Sequence, residues 1–177
     1  MKKSIMKVLY ICSMFFLFNS CEQENEITTT ETPKDGIATF HATISKTRTT
    51  GDLWDEGDAI GIYALKGGTT LSNGVFDEKS NIKYVTEVGD GHFKPASTEI
   101  MLPSTGTYDF VAYYPYQSDM TNNIYQIDIS NQANQGDIDL LYSDNAKGHT
   151  YDKPNAKLDF NHMLSMITLN ITAEDDV

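Results

Sequence analysis

Four histidines and two cysteines are the residues of this 177-residue chain best suited to chemistry, and their spacing decides against most of it. His41, His92, His149 and His162 stand singly, without the His-x-His or His-x-x-x-His spacing that brings two imidazoles to one zinc ion. No Gly-x-Ser-x-Gly elbow offers a serine nucleophile, and no glycine-rich loop could cradle phosphate. His162, in "DFNHMLS", reads as a packed or capping residue rather than a base. Asp128, Asp137, Asp139 and Asp144, in "DISNQANQGDIDLLYSDN", are dense enough to suggest calcium but match no Asp-x-Asp-x-Asp-Gly loop. Alternation in "DIDLLYS" places Asp137 and Asp139 on the solvent side of a strand. The expectation is no catalytic residue, no metal site, no cofactor and no enzymatic activity. Tyr108, Phe110, Tyr113, Tyr114 and Tyr116 leave two readings open. They form either a sugar-stacking platform or part of the core and sheet surface, since tyrosine combines high strand preference with a polar tip.

One thiol has a different prospect. Lys2, Lys3 and Lys7 precede the apolar run "VLYICSMFFLF", which leads into Asn19, Ser20 and Cys21. A basic start and an apolar run shorter than the ~20 residues of a membrane-spanning helix make residues 1–20 a secretory signal peptide. The run stops at a cysteine instead of an Ala-x-Ala site, and "LFNSC" resembles a bacterial lipobox. That resemblance implies that Cys21 is the first mature residue and that its thiol carries a lipid, such as palmitate. Cys12 lies inside the discarded run, so Cys21 has no partner for a disulfide within its own chain.

Residues 21–36 are acidic, threonine-rich and poor in apolar side chains, and form a disordered tether. Glu22, Glu24 and Glu26 resemble the signal for display on the outer face of an outer membrane; a plain solvated linker is the other reading. Without the signal peptide the chain keeps 10 positive against 25 negative side chains, a net −15. Such a surface repels phosphate and argues against nucleic acid as a partner.

From residue 37 to the end at 177 the pattern has period two, with strand-sized pieces cut by turn residues and no amphipathic helix. "IATFHATI" (37–44) sets Ala38, Phe40, Ala42 and Ile44 on one face, and "DAIGIYAL" (58–65) does the same with Ile60, Ile62 and Ala64 opposite Gly61 and Tyr63. "IKYVTEVGDGHFKP" is a hairpin with positive φ at Asp90 and Gly91 and an end at Pro95. "TYDFVAYYPY", "IYQIDIS" (124–130), "IDLLYS" (138–143), "AKLDFNH" and "SMITLNI" (165–171) bring the total to eight or nine strands. Short strands at this spacing form an antiparallel sandwich or barrel, and the sandwich is the fold expected here.

The order of the pieces carries a resemblance. Trp54 with Gly57 and Asp58, the run Ile60-Gly61-Ile62-Tyr63, the segment from Pro103 to Pro115, Asp139-Leu140-Leu141, and Phe160 to Ser165 together resemble the fimbrillin family, pilus and surface subunits of gut and oral anaerobes. Trp54, Gly57, Asp58, Gly61 and Tyr63 are expected to keep the fold. Trp54 can lie across one end of the sandwich, Gly57 permits the "DEGD" turn, and Asp58 can bond amides of that turn. The resemblance implies a transthyretin-like sandwich, export as a lipoprotein, and cleavage after an arginine near the N-terminus. Loss of the leading strand then opens a groove that a strand of a neighbouring pilus subunit fills.

Arg48, the lone arginine of the chain, sits in "SKTRTT" and is the candidate cleavage site; a solvated turn residue is the alternative. Members of the family commonly continue into a second domain, and residues 37–177 are expected to hold only the first. The chain is therefore expected to be a surface-exposed outer-membrane lipoprotein or a part of an extracellular fimbrium, a structural or accessory pilus subunit contributing to adhesion to a host or glycan receptor. A surface glycan-binding lipoprotein is the alternative.

Overall fold

Period-two alternation places every second side chain on one face of a strand, and the apolar rows of β1 (Thr39–Ile44) and β7 (Asn155–His162) turn to a common interior. The computed structural model of the chain describes residues 36–45, 53–131 and 138–165. Seven strands follow along them: β1 (Thr39–Ile44), β2 (Ala59–Lys66), β3 (Ile82–Thr86), β4 (His92–Pro95), β5 (Tyr108–Tyr114), β6 (Leu141–Ser143) and β7 (Asn155–His162). Among the described residues there is no helix, so the all-β class expected from the sequence holds.

The arrangement of the strands differs from the expected sandwich. They form one closed ring in the order β1-β4-β3-β2-β5-β6-β7, and β7 pairs with β1. That closing pair is parallel, from Thr39↔Asn155 to Ile44↔Phe160, whereas every other pair in the ring is antiparallel. Alternation reveals which side of a strand faces the core but not which strand lies beside it, and β1 and β7 stand 116 residues apart. On its other side β1 meets β4 at only two positions, Phe40↔Phe93 and His41↔His92.

Phe40, Ile60, Ile62, Phe110, Leu158 and Phe160 lie in the interior, each 3% exposed or less. β2 and β5 are covered on both faces. Their outward residues Tyr63, Leu65, Val111 and Tyr113 form a second apolar cluster beneath Leu71, Val75, Met120, Tyr125 and Tyr142. This double burial accounts for their nearly continuous apolar sequence.

Three boundaries depart from expectation. Residues 124–130 are not a strand: the segment has a single bridge, Thr121↔Ile124, and Ile124, Ile127 and Ile129 are exposed. β6 already occupies the place beside β5, so the ring closes without that segment. The strand expected over 138–143 shortens to its last three residues. In the β3–β4 hairpin the register Thr86↔Phe93 leaves a longer loop than a two-residue turn, and the positive φ values fall on Gly89 (70°) and Gly91 (82°), not on Asp90. Asp90 instead accepts the His92 N–H through Oδ1 at 2.9 Å. The strand expected over 165–171 lies outside the described residues apart from Ser165.

Candidate functional site: the seat of the first strand

β1 is the element on which the expected chemistry turns. Its inward residues Phe40 and Ala42, and Ala38 just before it, are each 3% exposed or less. Phe40 packs edge-on against Tyr84 and Phe110, both with ring centroids 4.9 Å away. Such aromatic pairs add about 0.5–1.5 kcal/mol each beyond the area they bury. On the outward face Thr39, Thr43 and Ser45 donate hydroxyl hydrogens to Asn155 (2.8 Å), Asp159 (2.8 Å) and Asn161 (2.9 Å). His41, between them, lies 4.6 Å from the His92 ring.

Trp54 is part of the interior cluster, 7% exposed, with T-shaped contacts to Phe93 (5.0 Å), Tyr114 (5.4 Å) and Phe160 (5.3 Å). Its indole N–H donates to the Ala42 carbonyl at 2.9 Å and so ties the tryptophan to β1. The following turn positions it. Asp55 N–H donates to Asp58 Oδ2 at 2.8 Å, Gly57 adopts φ 87° and donates its N–H to Thr86 O, and Tyr114 donates its hydroxyl to Asp58 Oδ1 at 3.0 Å. Burial, followed by the nearby Asp58 carboxylate, pushes the Tyr114 phenol well above its usual range and keeps it a donor.

Gly61 stands opposite Tyr113 in the β2–β5 ladder. A Cβ there would run into the Tyr113 ring and stand 2.6 Å from Asn81 Oδ1. The Tyr113 hydroxyl donates to Asn81 Oδ1 at 2.6 Å and accepts the Gln117 N–H at 3.2 Å, and burial raises its pKa to about 12. Tyr63 is buried in the outer cluster, and its hydroxyl has no partner among the described residues. Cys21 and Arg48 lie outside the described residues.

The aromatic run does not form an exposed platform. Tyr108, Phe110 and Tyr114 pack with the interior, Tyr113 is buried in the outer cluster, and Tyr116 is half-buried with Lys83 5.3 Å above its ring. Alternation explains this outcome: neighbouring tyrosines on one strand point to opposite faces, and here both faces are covered. Among the aspartates, Asp139 is taken by the His162 Nδ1 at 2.9 Å, a contact that nothing in the sequence signalled. The His162 Nε2 is buried without a hydrogen-bond partner among the described residues. Asp137 lies outside the described residues. No group of three or more histidine, cysteine or acidic side chains that could hold a metal occurs among the described residues.

A family model described as fimbrillin-like matches residues 47–177. The chain belongs to the fimbrillin-like family. The match begins just past β1 and includes Trp54, the turn at Asp58 and the remaining six strands. A relative named as a candidate fimbrium subunit, Fim1C of Bacteroides uniformis, is 34% identical over 178 residues, covering 95% of this chain and 56% of its own length. The solved structure of a candidate cell adhesion protein from Bacteroides uniformis shares 34% identity with a TM-score of 0.58, over 73% of this chain and 48% of that one. Another candidate cell adhesion protein, from Bacteroides ovatus, shares 25% identity with a TM-score of 0.54, over 73% of this chain and 53% of its own. This fimbrillin-like chain thus spans about half the length of the relatives it matches.

Proposed function

We propose that this chain is a fimbrillin subunit, carried to the cell surface by a lipid on Cys21 and matured by cleavage after Arg48, which frees β1 for replacement by a strand of a neighbouring pilus subunit. The observation that carries the reading is the place of β1 in the ring. It closes the barrel between β7 and β4, and the one arginine of the chain follows it in sequence, before Trp54. A cut there severs the lipid, the tether and β1 from the rest of the domain. Departure of β1 would leave unpaired backbone on β7 and β4 and an apolar slot where Phe40 sits between Tyr84 and Phe110. A new strand would satisfy both at once: backbone bonds supply affinity, and alternate side chains supply register.

The family match begins at residue 47, one residue before Arg48. The similar structures named as candidate cell adhesion proteins support a surface role in adhesion. Among the described residues no free aromatic face favours a glycan-binding role.

The test is digestion of the purified mature chain with an arginine-specific protease, read by intact mass and size exclusion. A single rapid cut, absent in Arg48→Lys, followed by displacement of the leading strand when a competing strand is supplied, is the expected result. A folded chain that resists cutting would make Arg48 an ordinary turn residue and leave β1 a permanent member of the ring.

A further inference from the structure

β1 presents different chemistry on its two faces, and the rest of the barrel meets each face with fixed partners. Inward, the sequence of side chains is small, aromatic, small: Ala38, Phe40, Ala42. Ala42 is held especially closely, since its N–H donates to Gly91 O at 2.8 Å and its carbonyl accepts the Trp54 indole N–H at 2.9 Å. A Cβ on Gly91 would stand 2.5 Å from that carbonyl, so the loop backbone approaches β1 as near as glycine permits. Outward, Thr39, Thr43 and Ser45 donate to Asn155, Asp159 and Asn161 with one constant offset, 116 residues, the register of the parallel pair.

Backbone ladder bonds would accept almost any strand, but these side-chain partners would not. A slip of one residue turns the threonines inward and Phe40 outward. A slip of two residues keeps the faces but leaves an alanine in the space between Tyr84 and Phe110. It also drives the phenylalanine to a position shaped for alanine. Trp54 belongs to the part of the chain that follows Arg48, so its indole N–H remains with the core whichever strand is present.

Resting on the strand-replacement reading above, we infer that the seat of β1 selects its occupant by side-chain pattern and that Trp54 sets the register. The occupant is an extended segment of a neighbouring subunit lying parallel to β7. It carries small, aromatic, small residues toward the core and hydroxyl residues toward Asn155, Asp159 and Asn161. One of its carbonyls accepts from Trp54 Nε1. The Asn155, Asp159 and Asn161 side chains are thus specificity determinants for the incoming strand, and the aromatic slot is its anchor point.

The experiment uses the mature chain cut after Arg48 and a labelled peptide of residues 37–45, "IATFHATIS". The peptide should take the place of β1. Phe40→Ala in the peptide should weaken uptake roughly hundredfold or more, as loss of a buried aromatic ring does. Thr39→Val, Thr43→Val and Ser45→Ala together should weaken it roughly tenfold or more, and Trp54→Phe in the core should weaken uptake of the unaltered peptide by roughly tenfold. Equal uptake of all the peptides would overturn the inference while leaving strand replacement intact. If no peptide enters, strand replacement itself fails, and the seat is then tested in the uncut chain. There the Thr43→Val and Asp159→Ala losses in Tm must be less than additive, and Trp54→Phe must lower Tm; purely additive or absent losses overturn the inference as well.

Discussion

Trp54 touches three aromatic rings and one backbone carbonyl, so its removal tests both the packing and the tether to β1. Trp54→Ala should cost about 3–5 kcal/mol in denaturant unfolding, the usual range for deleting a buried ring. Trp54→Phe should cost about 1–3 kcal/mol, because the Ala42 carbonyl loses its donor. An unchanged midpoint in the alanine variant would put the ring outside the core. Gly61 poses the opposite test, since any side chain there meets Tyr113. Gly61→Ala should destabilise by about 1–3 kcal/mol through overpacking. Its loss and that of Tyr113→Ala should sum to more than the double variant's loss, and strict additivity would show that the ring does not constrain the glycine. A single tryptophan before a "DEGD" turn is legible in the sequence as a large apolar side chain to be buried. Its acceptor on β1 is not, because no local pattern says which carbonyl a distant indole will reach.

Among the elements, β1 carries a pH dependence with a geometric basis. His41 faces His92 on β4, with Asp90 in the adjoining loop and Lys157 and Asp159 on β7. Burial, and after it the neighbouring His92, lowers the pKa of His41 below the usual 6.5. The unfolded chain therefore binds the proton first as the pH falls, and folding stability is lost progressively below about pH 6.5. Asp90 and Asp159 act in a lower window. The His92 N–H bond holds Asp90, and the Lys157 side-chain bond holds Asp159, below the usual 3.8. Their contribution is present above that value and is lost as the pH falls through their depressed folded-state values. Thermal unfolding between pH 7 and 5 should show a fall in Tm that His41→Gln flattens; parallel profiles for the two proteins would remove His41 as the cause. At this scale the alternation in β1 and β7 was readable, whereas the same alternation at 124–130 formed no strand. Periodicity registers a capacity to pair, and whether a place in the ring is open is decided by other strands.

For the whole molecule, Cys21, the proposed lipid site, and the closing strand lie on the same side of Arg48 in the sequence. Cleavage alone would leave the core attached to the membrane for as long as β1 keeps its seat through the six pairs to β7 and the two to β4. Fractionation should therefore find the cut core still with the membranes, and it should be released when a competing strand displaces β1. Immediate release on cutting would mean that β1 does not hold by itself. Cys21→Ala should abolish incorporation of labelled palmitate and move the uncut protein out of the membrane fraction; persistent labelling would place the lipid elsewhere.

By itself, the sequence determined the inward and outward rows of most strands, the all-β class, the resemblance to fimbrillins and the isolation of Arg48, because each of these depends on residue type and local spacing. The tertiary structure alone decided that the sheet closes, that β1 and β7 run parallel, that Tyr113 covers Gly61 and that hydroxyls on one strand meet acceptors 116 residues away on another. Those outcomes depend on which strands become neighbours. That choice is made by packing across the whole core, where a two-residue period permits many pairings and only the fit of large and small side chains singles one out.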